Sequence, residues 1–388
     1  MISHIFKILW KHKKSNALII IEIFVSFLIL TAVSTYLFKN YKQVSTPIGF
    51  ETKNRFMIIF YDNSLLDSAE YASKIDLLKN SLENQPEILS VSFGNVVYPF
   101  SYNTWASNTN INNIKIWSLG AAMDENFAKT MNVPILFGRW FDAPLDTGAI
   151  DEVVVNEAFL KRNFNGVNMV DSLIEHNGKK KIVGVLNNYK YNGEFSEDEA
   201  IMIDYIGRWN RNAQCIYYHV KEGTSAVFEE KINKMIASTM GITDFEIKDL
   251  EENRTTENKS SWVAITAMSA LALFLIINVA MGLFGVLWYT INKRRHEICI
   301  RKAMGATNMN ILSQFVLEAM GMAMIAMIPA ALLVVQVPLY SLVEIPSEMI
   351  YTGLTFSGMF VLTMVLLCSL YPAWKASNLH PAMGLKEE

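Results

Sequence analysis

Glu297 and Arg301 stand four residues apart in the run Asn292–Ala306 (NKRRHEICIRKAMGA). The acid precedes the base, the orientation that pairs best across one helical turn. Five basic residues crowd this run: Lys293, Arg294, Arg295, Arg301 and Lys302. Ile300, Ala303 and Met304 share one face at helical spacing, and Gly305 supplies a stop signal. The chemistry of such a segment is recognition: a short amphipathic helix with a basic rim, suited to docking a soluble partner. Read by itself, the cluster serves equally as a topogenic charge signal with no partner. Four more polar groups fall inside apolar runs, where they are costly and carry helix contacts or function by default. Gln314 and Glu318 lie one turn apart and face one side, which fits a helix contact near the loop. Asn278 sits mid-run and suits a hydrogen bond across a dimer, whereas Glu22 is expected to snorkel towards the headgroups.

Catalytic spacings are missing from the sequence. It contains no GxxxxGK[ST], GxSxG, HExxH or CxxC run. Its six histidines are scattered, and His176 and His219 belong to no metal-ligand pattern. No catalytic, cofactor or metal residue is therefore expected. Cys215, Cys299 and Cys368 fall in different segments and predict no disulfide within the large polar region.

The elements that position these residues follow from hydropathy. Half of the 388 residues are apolar, yet 18% are charged, so only part of the chain suits a bilayer. Runs at 17–38, 262–291, 311–335 and 353–374 have the length of spanning helices. The second is longer than a bilayer needs and is expected to project past the inner face as continuous helix. Lys7, Lys11, Lys13 and Lys14 precede the first run, and Lys375 and Lys386 follow the last. Basic residues mark the cytoplasmic side, so residues 1–16, the 292–310 loop and the 375–388 tail are placed inside. The 336–352 connection has no Lys or Arg and carries Glu344 and Glu348, which suits an outside loop. The first run exceeds a signal-peptide core in length and reads as an uncleaved anchor. Pro329 is expected to kink the third run, and Ala319/Ala323 and Ala326/Ala330 permit close packing.

Residues 39–261 form the outside domain. They hold 23 basic and 30 acidic residues, net −7, which argues against a nucleic-acid partner. Its two ends look alike. Strand 55–61, helix 65–84 and strand 88–94 are echoed by strand 214–220, helix 225–239 and strand 244–248. Together they predict one split α+β subdomain, with an inserted, mainly β subdomain at about 111–205. Strands 151–155 and 181–186 with helix 156–163 between them are the clearest elements of the insert. The Asn-rich stretch 103–113 reads as an exposed loop.

Arg294–Ala319 (RRHEICIRKAMGATNMNILSQFVLEA) resembles the FtsX/MacB-type permeases of ABC transporters, in which R-x-x-E-I-x-I-R-K-A-x-G-A precedes the third span. The tail 371–388 (YPAWKASNLHPAMGLKEE) is similar to the family's closing motif. FGRWF (137–141), VVVNEAFLKRNF (153–164) and KIVGVLNNY (181–189) look like the MacB periplasmic core domain. The resemblance implies an α-helical membrane protein with four transmembrane helices and a large α+β extracytoplasmic domain. It also implies a permease subunit of the inner membrane that dimerises with itself or a homologous permease. Its partner is then a separate ABC ATPase, a MacB- or LolD-like nucleotide-binding protein. That ATPase binds ATP and Mg, and no cofactor is bound by this chain. The coupling element carried over is Arg294, Arg295, Glu297, Ile298, Ile300, Arg301, Lys302, Ala303, Met304, Gly305 and Ala306. Family members are thought to relay ATP-driven closure to the outside domain by mechanotransmission. MacB-like efflux with a periplasmic adaptor and an outer-membrane channel is the form expected first. The alternatives are lipoprotein release, an FtsX-like regulator of a cell-wall hydrolase, and a sensor partnered with a kinase.

Overall fold

The structure is a computed structural model, and it describes residues 13–61, 68–95, 99–100, 106–111, 114–142, 150–175, 178–206, 214–224, 226–242, 244–343 and 345–378. His176, Glu344, Lys7, Lys11, Lys386 and the end of the tail lie outside the described residues. The chain divides into a helical unit (1–42 and 263–388) and a sheet unit (43–262).

In the sheet unit, β1 (Arg55–Phe60), α2 (Ser68–Glu83) and β2 (Ile88–Asn95) form one β-α-β unit, following α1 (Lys13–Ser45). The pattern returns as β10 (Cys215–Val220), α5 (Ala226–Met240) and β11 (Phe245–Asp249). The strands run β11-β1-β10-β2 with every neighbour antiparallel, so the two units interleave as the sequence predicts. Alternation decides which face each side chain takes. Ile58, Phe60, Ile216 and Tyr218 pack against α2 and α5, whose Tyr71, Ile75, Leu78 and Ile232, Ile236, Met240 form helical stripes. Met57, Ile59, Cys215 and Tyr217 face a second core on the opposite side, with Phe127, Trp140 and Tyr189. Burial on both faces explains the nearly continuous apolar runs of β1 and β10. It also pushes the Cys215 thiol up to about 12.

The insert comprises β3 (Ala106–Ile111), β4 (Ile114–Met123), α3 (Phe127–Thr130), β5 (Ile135–Gly138), β6 (Asp151–Asn156), α4 (Glu157–Phe164), β7 (Leu173–Glu175), β8 (Lys179–Leu186) and β9 (Ile201–Tyr205). The inserted, mainly β part is present, and the reading of the Asn-rich stretch as a loop is corrected. The insert extends the same sheet through the pairs Gly94–Met123 and Asn95–Ala122, and the second core is common to both halves. The Asn-rich stretch also contains strand β3, in register with β4 from Ala106–Leu119 to Ile111–Ile114. Backbone pairing needs no apolar pattern, which is why polar composition misled the sequence reading. Asn156 ties the insert together. Its Oδ1 accepts from Phe159 N at 3.0 Å, capping α4, and from Ile201 N at 2.9 Å on β9. Its Nδ2 donates to Glu199 O at 2.7 Å. Asn156→Ala strands buried donors and is expected to cost about 2 kcal/mol; a shift of the thermal midpoint within experimental scatter would refute this.

Among the described residues, four helices are long and apolar enough to cross a membrane. These are α1, α6 (Leu250–Lys293), α8 (Asn308–Leu339) and α9 (Ser347–Ser377), with the short α7 (Arg295–Ala303) after α6. Each overruns its expected bounds, because polar flanks continue the helix. The correction is largest for α6. It ends at Lys293, and its extra length lies on the N-terminal side, beginning at Leu250 in the sheet unit's core. Asp249 Oδ1 accepts from the amide nitrogens of Glu251 and Glu252, and the acidic first turn complements the helix dipole. A helix therefore starts well before the apolar run. Ala319, Ala323, Ala326 and Ala330 are fully buried against Ile19, Ile23, Val279 and Val361, as their small size permits. Pro329 lies inside α8, which continues through it.

Candidate functional site

The loop predicted to dock a partner folds as expected: α7 is a separate two-turn helix, and Gly305 at φ +98° closes it. An L side chain resists that backbone angle, so glycine fits the stop. Gly305 N donates to Lys302 O and Ala306 N to Arg301 O, both at 3.0 Å. Thr307 then starts α8, its hydroxyl accepting from Asn310 N.

One face of α7 is locked. Arg294 Nη1 donates to both carboxylate oxygens of Glu318, at 3.1 and 2.9 Å, and Glu318 is 5% exposed. Gln314 Nε2 donates to Glu318 Oε1 at 3.0 Å, and Arg301 Nη1 donates to Gln314 Oε1 at 2.7 Å. Arg301 also pairs with Glu297, as the spacing predicts. The five side chains thus form one continuous network from α7 to the base of α8. Beneath it, Ile298 packs with Ile291, Ile311, Phe315, Ala373 and Ala376, and Cys299 is fully buried. Lys302 Nζ reaches Ser377 O at 2.6 Å, fastening α7 to the end of α9.

The other face is open. Ile300 is 40% and Met304 76% exposed, and Ala303 and Gly305 are exposed with them. Arg295 and Ala306 are partly buried. The sequence placed the loop's apolar face at Ile300, Ala303 and Met304; folding leaves it outward and uses Ile298 and Cys299 for packing.

Two polar residues are not brought to this site. Asn278 Nδ2 donates to Phe274 O one turn back at 2.9 Å, on the exposed side of α6. Glu22 lies partly buried against α6. A Cβ added to Gly282 would lie 2.6 Å from Glu22 Oε2, so the carboxylate fills the notch that this glycine leaves in α6. Sequence reading missed Lys302–Ser377 and an aromatic cluster joining α6 and α9. In that cluster Phe284 stacks on Trp288 and Tyr371, and Lys375 Nζ sits 4.3 Å from the Trp288 ring centre. Aromatic residues flanking the last basic turn were its available signal. Among the described residues, no three His, Cys, Asp or Glu side chains converge as a metal-binding group.

Macrolide export ATP-binding/permease protein MacB of Bartonella quintana is 24% identical over 292 residues, covering 71% of this chain and 43% of that protein. Pyoverdine export ATP-binding/permease protein PvdT of Pseudomonas fluorescens is 24% identical over 282 residues, covering 68% and 42%. The chain thus spans less than half the length of these curated relatives. The crystal structure of the periplasmic region of MacB from Actinobacillus actinomycetemcomitans aligns with a TM-score of 0.40 at 15% identity, covering 55% of this chain and 97% of that one. Residues 269–381 match the FtsX-like permease C-terminal family, and residues 18–235 match the MacB-like periplasmic core domain. The second match alone takes in more than half of the sequence, and the chain belongs to the MacB-like family of FtsX-type permeases.

Proposed function

We propose that this chain is the membrane subunit of an ABC exporter, driven by an ATPase that docks on α7. The observation that carries this reading is the two-faced helix: Ile300 and Met304 stand open while the opposite face is hydrogen-bonded to α8 and α9. A push on the open face reaches two spanning helices without passing through a flexible joint. α1 and α6, which both continue into the sheet unit, then carry movement to the outside domain by mechanotransmission. The relatives named for macrolide and pyoverdine export support an export role, and efflux from the periplasmic side is the form proposed here. In this reading the chain lies in the inner membrane with both termini cytoplasmic and pairs with itself or a homologous permease. ATP and Mg reside on the ATPase, and a periplasmic adaptor and outer-membrane channel complete the path.

The test is the pair Ile300→Asp and Met304→Asp. Both positions are exposed, so the thermal midpoint in detergent should stay within about 1 °C. Recovery of a nucleotide-hydrolysing partner in a pull-down should fall at least about tenfold, because charge is placed where an apolar contact forms. Undiminished recovery would remove α7 as the docking site.

A further inference from the structure

The loop between β8 and β9 does something the docking site does not explain. Lys190 is 2% exposed, although lysine is among the residues least often fully buried. Its amine donates to Gln43 O at 2.6 Å, in the last turn of α1, and lies 3.5 Å from Thr46 O and Glu194 O. A cation at a helix C-terminus satisfies carbonyls that lack intrahelical donors and complements the dipole. Lys190 N also donates to Ile48 O at 2.8 Å. Just beyond, Gly49 has φ +87°, and a Cβ there would lie 1.8 Å from Asn188 O, so the chain leaving α1 is pressed directly onto this loop.

Four residues on, the same loop grips the other helix. Glu194 accepts from Arg254 Nε at 2.9 Å and from Asn258 Nδ2 at 3.0 Å, both in the polar first turns of α6. Phe195 meets Trp262 edge to face at 5.5 Å. The loop itself is pinned. Tyr189 and Tyr191 are buried in the core, with the Tyr189 ring 4.9 Å from Phe50. Asn188 Oδ1 caps Ala158 N at the start of α4 at 2.8 Å. Short turns from Lys190 O to Gly193 N and from Gly193 O to Ser196 N leave little slack between the two grips.

We propose that residues 187–196 act as a buckle, with Lys190 clasping the end of α1 and Glu194 clasping the start of α6. The two helices then move as one body, and their displacement passes into β8 and β9, the strands that the loop joins. Lys190 and Glu194 are positioning residues in this scheme. The buckle specifies where the sheet unit receives movement, and its use in export rests on the function proposed above.

Hydrogen exchange on the full chain in detergent or nanodiscs tests the buckle without partner or nucleotide. Glu194→Gln removes the charge that holds α6, and Lys190→Met removes the amine that holds α1. If the loop binds the helices together, each variant speeds exchange at both sites, residues 43–48 and 251–258, by about tenfold, the opening expected from one lost charge-assisted hydrogen bond. Acceleration confined to the helix whose own clasp was removed, or no acceleration, overturns the proposal. Should Lys190→Met unfold the sheet, β1 and β10 will exchange as well. Asn258→Ala then decides, since it touches Glu194 but not α1 and must still loosen residues 43–48. Loss of ATPase recovery belongs to α7 and leaves this measurement unaffected, so the two ideas fail separately.

Discussion

Glu318→Ala should destabilise the helical unit by about 3–5 kcal/mol, the usual cost of leaving one member of a buried ion pair alone. Arg294 donates two hydrogen bonds to this carboxylate, and Gln314 donates a third. Removing it breaks all three bonds in a setting where the Arg294 side chain is only 14% exposed. The loss should appear as a lower unfolding midpoint in detergent. Arg294→Met combined with Glu318→Leu should cost far less than Glu318→Ala, because no charge is then stranded. Equal losses for the single and double variants would mean the network holds nothing together. The single variant also removes one of the contacts that join α7 to α8; under the function proposed above, ATP hydrolysis by the docked partner should persist while transport falls.

Gly353→Leu should be comparably damaging for a steric reason. A Cβ at Gly353 would lie 2.2 Å from Thr35 Oγ1 and 2.8 Å from the Thr35 backbone nitrogen, so α9 crosses α1 with no space for a side chain. Backbone cannot rotate aside, and α1 would have to move bodily. Overpacking of this kind costs about 3 kcal/mol, sometimes more. It would also disturb the neighbouring Thr31–Ser357 hydroxyl contact at 2.7 Å. Gly358→Ala is the control, since its nearest obstacle is the flexible Met327 Cε at 3.5 Å. If both variants unfold at the same midpoint, the close crossing is not what α9 requires.

The split β-α-β frame was readable because its strands and helices carry local patterns of their own. Tyr71, Ile75 and Leu78 mark a helix stripe, and Met57 to Phe60 a strand buried on both faces. The short helix α7 was readable for the same reason: Glu297 and Arg301 pair through a local spacing. What stayed hidden was set by distant partners. Strand β3 exists because β4 lies beside it. Lys190 looks like any surface lysine until α1 ends against it, and Glu194 like any loop acid until α6 begins beside it. The niche beside Glu22 is the lack of a side chain at Gly282, far along the chain.

The unbroken run of α6 has a further consequence. Its 44 residues correspond to about 66 Å of helix at 1.5 Å per residue. On such a helix, azimuth is counted in residues. One inserted residue turns everything downstream by about 100°, whereas seven return it to within about 20° of the starting angle. Length changes within it therefore keep the facing of the later residues only near whole numbers of turns, such as about seven or eleven residues, a phase rule written into the helix by continuity alone.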